Sequence, residues 1–311
     1  MSAFYNSISS VLVILLMTAA GYIFGVKKWM TAQQKPFLEK YIMNFAIPCM
    51  CIGGFIEHLS PEIFRESGKV VGVSALGLII CLVLSALVAY LLRLPKKRSG
   101  VFIGMCAFSN ALFVGYPMCR ELFGDEAVLY VMLFFVSASV LIFIGCYMAF
   151  AWFSETERKI NKALLIRVFI NPAVLSAVAG VLIVLTGITL PRPITALLGY
   201  IGGTVSPLAL LYCGFIIYEC GIKNIRMDRG MAVMPVLRFV ISPLIGHALC
   251  RVFDLPPLAS SVIIVEMAMP VITILVVMAK QWEADVEYAA IGIVLSTLAC
   301  FVVIPVLMLF L

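Results

Sequence analysis

The sequence predicts an all-α integral membrane protein of ten transmembrane helices, built as two inverted five-helix repeats whose broken helices four and nine cross at the midplane. Three observations predict it. Hydrophobic residues make up 63% of the 311 and charged ones only 12%, with a mean hydropathy of +1.13; so few charges cannot cover a soluble core of that size. Apolar runs long enough to cross roughly 30 Å of hydrocarbon recur along the whole chain. Helix breakers fall at matching places in its two halves.

The runs lie at about 8–25, 37–57, 69–92, 100–122, 126–152, 165–187, 194–218, 231–252, 260–280 and 287–311. The opening stretch "MSAFYNSISS" has no basic residue ahead of its apolar run, so the run is expected to persist as the first span and not as a cleaved signal. Basic residues orient the spans. With the N-terminus outside, the inner loops collect the clusters Lys27–Lys28, Lys35–Lys40, Arg93–Arg98, Arg158–Arg167 and Lys223–Arg229, together with Lys280. The outer loops hold only Arg65, Lys69, Arg120, Arg192 and Arg251. The positive-inside rule therefore predicts a multi-pass protein of the plasma or bacterial inner membrane, with both termini on the outer side.

The most polar internal segment, "FSETERKINK", divides the chain into a first repeat (1–152), a cytoplasmic linker (153–163) and a second repeat (164–311). "IPCMCIGGFIE", ending at Glu57, resembles "SPLALLYCGFIIYE", ending at Glu219: each has a proline, then a Gly-Phe-Ile run and a terminal glutamate. Helices two and seven carry Pro48 and Pro207; helices four and nine carry the Asn110–Pro117 segment and Pro270. A repeat of five helices enters the membrane from opposite sides in its two copies. Inverted repeats with interrupted helices in matching positions point to a secondary transporter.

Depth arithmetic places the chemistry. At 1.5 Å per residue, Asn110 and Pro270 each lie roughly 15 Å from the inner face. Two broken helices meeting there would aim half-helix N-termini at a bound group, a geometry suited to a carboxylate. The expected substrate site is Ser109, Asn110, Gly115, Pro117, Met269, Pro270 and Val271. Prolines also release carbonyls four residues back, those of Glu266, Asn44 and Phe113. Glu266 is the one carboxylate clearly inside a span, and an intramembrane acid is costly enough to mark function as a proton carrier or cation ligand. His247, roughly 24 Å from the inner face against roughly 21 Å for Glu266, is a candidate partner in a proton relay. Arg238, roughly 10 Å in, is expected to snorkel toward the inner surface.

The segments "SNALFVGYPMCRELFGDEA", "FINPAVLSAVAG", "SPLALLYCG" and "EMAMPVITILVVMAKQW" together resemble the auxin efflux carrier family, which includes the plant PIN-FORMED carriers. The resemblance covers essentially the whole chain. It implies a fold similar to that of bile acid:sodium symporters, with elevator-type alternating access. Helices 1, 2, 6 and 7 would form a scaffold that makes a homodimer, and helices 3–5 and 8–10 a transport unit. Asn110 matches the asparagine that contacts substrate carboxylate in the family, and Pro270 matches the crossover proline of helix nine. Two departures stand out. Ser109 replaces the family's proline, leaving the helix-four break to Gly115, Pro117 and packing, and the third span, where the plant carriers have an acidic residue, has no acidic or basic one between Lys69 and Arg93.

The functional expectation is a secondary transporter of a small carboxylate coupled to protons or sodium; the resemblance, through bacterial members of the family, implies one such as malate or malonate. The alternative is a cation/proton antiporter of related fold, which would favour two or more midplane carboxylates. An enzyme, a cofactor, a metal and a nucleic-acid partner are not expected. The ten cysteines lie mostly in apolar runs without CxxC spacing, and the two histidines are far apart.

Overall fold

The computed structural model describes residues 2–153, 171–221 and 227–311. Apart from Phe153, the expected linker at 153–163 lies outside the described residues. In chain order the α-helices are α1 Ser2–Val26, α2 Lys35–Tyr41, α3 Ile47–His58, α4 Pro61–Leu91, α5 Lys96–Ala107, α6 Tyr116–Phe123, α7 Ala127–Leu141, α8 Tyr147–Phe153, α9 Pro172–Thr186, α10 Arg192–Gly202, α11 Val205–Cys220, α12 Arg229–Val236, α13 Ser242–Val252, α14 Pro257–Met267, α15 Leu275–Gln281 and α16 Val286–Leu307. Among the described residues there is no strand, only one isolated β-bridge.

Among the described residues six stretches are long and apolar enough to cross a membrane: Ile8–Val26, Ile63–Leu91, Ala127–Phe153, Arg192–Cys220, Arg229–Val252 and Val286–Leu307. The other four runs fall short for identifiable reasons. The helix that opens the second, α2, carries Lys35, Glu39 and Lys40, and the sixth begins among residues outside the description. The fourth and ninth are interrupted in the middle, at Phe108–Asn110 between α5 and the turn before α6, and at Ala268–Ile274 between α14 and α15.

Several helices continue through a π turn instead of stopping. Four such turns are described: Ile42–Ala46, Ala111–Gly115, Ile142–Cys146 and Leu237–Ile241. Three of them end two residues before a proline, namely Pro48, Pro117 and Pro243. A proline cannot donate to the carbonyl four residues back and its ring crowds that carbonyl. A π turn widens the ladder there, so the helix passes the proline without breaking.

Packing joins the helices in two sets. In one, α1 lies against α11, and α3 against α9 and α10. The α1–α11 approach depends on missing side chains: a methyl group on Gly214 would overlap the Thr18 carbonyl, and one on Gly21 would overlap that of Leu211. Small residues of this kind let membrane helices meet backbone to backbone. In the other set, α4 packs on α5, α7 and α13, and α14 on α7 and α13. One end of this set is tied by Arg98, which donates to Asp228 at 2.9 Å and to Asp285 at 2.8 Å and lies 5.0 Å over the Tyr288 ring. Those two aspartates are the N-caps of α12 and α16, accepting from Met231 N at 2.8 Å and Tyr288 N at 2.9 Å. A single guanidinium thus joins the starts of three helices.

Candidate functional site

The two interrupted helices meet at their interruptions. After Ala107 the chain turns extended at Phe108 (φ −115°, ψ 129°). Ser109 pairs with Val271 in an antiparallel bridge, and the Asn110 N–H donates to the Pro270 carbonyl at 2.8 Å. The Val271 N–H donates to Ser296 Oγ on α16 at 3.0 Å. Backbone released from a helix inside a buried interior must find partners; here each broken segment supplies them for the other.

The crossing has two electrically distinct sides. On one, the first halves end and their last carbonyls have no helical partner. Arg238, with no exposed surface, donates from Nε to the Met269 carbonyl at 2.8 Å and from Nη1 to the Cys106 carbonyl at 3.0 Å. Ser242 Oγ donates to the Met267 carbonyl at 2.9 Å. This corrects the expectation for Arg238. Its carbonyl partners come from two helix ends running in opposite directions, and they hold the side chain inside the protein where a lone intramembrane arginine would have reached for water.

On the other side the second halves begin. Asn110 is the N-cap of the turn Ala111–Gly115, and its carbonyl accepts from Val114 N and Gly115 N at 3.3 and 3.0 Å. The N–H groups of Ala111–Phe113 have no acceptor within their own helix. Those three residues line a cavity of about 160 Å³, together with Ser109, Asn110, Ser139, Tyr212 and Ile272. Ser109 Oγ and Ser139 Oγ are buried and have no hydrogen-bond partner. Asn110 Nδ2 has only Cys213 Sγ at 3.9 Å. Most of the remaining wall is apolar: Phe135, Ile142, Ile216 and Val276. At the mouth Lys35 pairs with Glu219 at 2.5 Å, and Tyr212 Oη donates to Glu39 at 3.1 Å.

The expected residues divide accordingly. Ser109 and Asn110 line the cavity, while Met269, Pro270 and Val271 lie behind it and supply the backbone of the crossing. Gly115 and Pro117 do not make the break, which falls ahead of them; Pro117 sits in the first turn of α6. Gly115 faces Glu266, whose carboxylate a methyl group would overlap. Glu266 has no exposed surface, lies 3.7 Å from Cys119 Sγ through Oε1, and leaves Oε2 without a partner. The structure does not bring His247 to it. His247 is exposed and lines a separate cavity with Arg251 and Asp254, because α13 turns Gly246, not His247, toward Met267 on α14. Ser139, Tyr212, Lys35, Glu39 and Glu219 were missed. The only sequence signal for Ser139 is a small hydroxyl in the apolar run of α7, and such residues are common in membrane helices.

A second cavity, about 220 Å³, lies along the same seam toward the opposite end and is lined by Gly53, Glu57, His58, Tyr116, Arg120 and Asp125 among others. On each apolar run that both cavities meet, they contact separate stretches, the first cavity N-terminal on the second and fourth runs and C-terminal on the fifth and seventh. Along the second apolar run the first cavity meets Lys35–Met43 and the second Cys49–His58; across the helix-four break they meet Ser109–Phe113 and Tyr116–Arg120. Buried Ile47, Val114 and Val205 lie between them.

An all-helical chain with membrane-length apolar helices, two of its runs broken where they cross beside an internal cavity, defines a polytopic membrane transporter. Comparison with known proteins gives the family. The membrane transport protein family, that of the auxin efflux carriers, matches residues 6–308, and the chain belongs to it. It is similar to an uncharacterized transporter of Methanothermobacter thermautotrophicus, 26% identical over 97% of each chain. It is also similar to one of Methanocaldococcus jannaschii, 23% identical over 94% of this chain and 95% of the relative.

Proposed function

We propose that the protein carries a small organic anion by alternating access, with the carboxylate held between Asn110, Ser109, Ser139 and the free N–H groups of Ala111–Phe113. One observation carries the reading: a buried cavity whose unpartnered groups are hydroxyls, an amide and a helix N-terminus, a donor set complementary to a carboxylate. An engineered cavity of about 150 Å³ takes up benzene, so the cavity size favours a small molecule over a bulky aromatic acid. Its apolar walls favour one carboxylate on a short apolar body over a dicarboxylate such as malate or malonate. The mouth at Lys35 and Glu219 is on the side the positive-inside rule makes cytoplasmic. Two cavities stacked along one seam, separated by roughly one to two helical turns, are what opposite openings of one path require.

In this reading the set containing α1, α3, α9, α10 and α11 is the scaffold of an elevator and forms the homodimer contact. The set containing the crossing moves, and the two halves are inverted repeats. Glu266 carries the coupling ion, a proton or sodium; His247 has no part in it. The test is a thermal-shift titration of purified protein with mono- and dicarboxylates, with and without sodium and at two pH values. Stabilisation by a carboxylate that Asn110→Ala abolishes is the expected result. Glu266, a buried acid with an unpartnered oxygen, also suits a cation/proton antiporter; a response to sodium or pH alone, with none to any anion, would replace the first reading by the second.

A further inference from the structure

Two fully buried ionisable side chains stand at the crossing, Arg238 and Glu266, and among the described residues no ion pair joins them. Glu266 suits ion coupling, while Arg238 satisfies two carbonyls. Its position carries more. The helix macrodipole places partial negative charge at C-terminal ends. The first halves α5 and α14 end at Ala107 and Met267, and the carbonyls of Cys106, Met267 and Met269 converge from both. Such a cluster of buried carbonyls is an oxygen-lined cation site. Here the protein fills it with its own cation.

We propose that Arg238 is the resident cation of the crossing, a positioning residue that sets the sign of charge the site accepts. It rests on the anion-carrier reading for the identity of the ligand, but not for the geometry. By placing one positive charge between the Cys106 and Met269 carbonyls and donating to both, Arg238 locks the carbonyl side and fixes the register in which Asn110 N–H meets Pro270. The amide side then remains the one unfilled pole, so the cavity takes a negative group and rejects a metal cation. The π turn Leu237–Ile241 is what aims the side chain: it passes Pro243 and carries Arg238 onto the buried face, with Phe239 also buried beside it. Nη2 makes no hydrogen bond, so the guanidinium spends two of its nitrogens on the two helix ends.

The experiment compares wild type with Arg238→Lys, Arg238→Gln and the double variant Arg238→Gln/Glu266→Gln, which removes both buried ionisable groups together. Carboxylate affinity is read by thermal shift, and the crossing itself by hydrogen exchange at residues 104–115 and 266–275. Arg238→Lys is expected to retain affinity within roughly tenfold. The neutral variants are expected to lose roughly tenfold or more, the cost of a charge-assisted contact, and to exchange the Asn110 amide faster. The double variant should recover folding without recovering affinity. Wild-type affinity and protection in the double variant would overturn the proposal, since Arg238 would then be only a counter-charge to Glu266. If neither neutral variant folds, the lysine variant decides: retained affinity supports the proposal, and loss in a folded protein overturns it. If wild type binds no carboxylate, the anion-carrier reading fails, and exchange at the crossing still tests Arg238: unchanged protection in a folded neutral variant would overturn its positioning role.

Discussion

The backbone N–H of Asn110 donates to the backbone carbonyl of Pro270 at 2.8 Å, across 160 residues of chain. This one bond, with the Ser109–Val271 bridge beside it, converts two separate helix interruptions into a single object. It also frees the Asn110 side chain. Because the backbone makes the joint, the amide group owes nothing to structure and can face the cavity.

Asn110→Ala should therefore separate function from stability. The side chain's hydrogen-bond partner is a sulfur at 3.9 Å, too long for a strong bond. We expect a stability change within about 1 kcal/mol and a loss of carboxylate-dependent stabilisation of roughly tenfold or more, both measurable in one thermal-shift series. Equal loss of both would mean that the amide is structural.

How much of this was legible in the sequence follows from what each residue does alone. Asn110 and Pro270 were readable because breakers inside apolar runs are costly, and equal depth paired them. Membership of the carrier family was readable in the motif segments and is borne out along residues 6–308. Gly115 and Pro117 were expected to help make the break, but a π turn carries the helix past the proline, and the break falls earlier. Arg238 was misread because its partners are carbonyls exposed only when two helices break and cross. No periodicity along helix eight records that. His247 was paired with Glu266 by depth alone, which gives height in the membrane and not the direction a side chain faces.

Gly115→Ala should be destabilising for a specific reason. A methyl group there would overlap the Glu266 carboxylate, which has no exposed surface and little room to retreat. Overpacking of this kind costs about 1–3 kcal/mol. Glu266→Ala in the same chain should relieve much of it, so a double-mutant cycle is expected to give a coupling of about 1 kcal/mol or more. Additive effects would sink the assignment.

Glu266→Gln keeps shape and burial but removes the charge. In proteoliposomes it is expected to abolish the dependence of uptake on whichever ion gradient drives the wild type, pH or sodium, while exchange of carboxylate down its own gradient continues. His247→Gln should leave the ion dependence unchanged, since His247 faces a different cavity. An unaltered ion dependence in Glu266→Gln would remove Glu266 from coupling.

Arg98→Ala tests the joint at the other end of the crossing's helix set. The side chain is 39% exposed, so its pairs with Asp228 and Asp285 are partly screened. They are nevertheless charge-assisted and organised around two helix N-caps. A loss of about 1–2 kcal/mol is expected, smaller at high salt, with carboxylate affinity unchanged. A large fall in affinity at normal stability would show that this joint shapes the cavity.

Ser109→Ala and Ser139→Ala probe the two hydroxyls that face the cavity without partners. A buried hydroxyl lacking a hydrogen bond costs free energy on folding, so removing either one should leave the protein as stable or slightly more so. Each hydroxyl would donate to a bound carboxylate, and its loss should weaken binding by about 0.5–1.5 kcal/mol, the usual net value of one hydrogen bond. Ser137, buried and two residues away on a different face of the same helix, is a matched control: its Oγ already donates to the Val71 and Leu133 carbonyls. Ser137→Ala should lower stability and leave affinity alone. The opposite pattern, with Ser139 structural and Ser137 affecting affinity, would place the anion elsewhere in the seam.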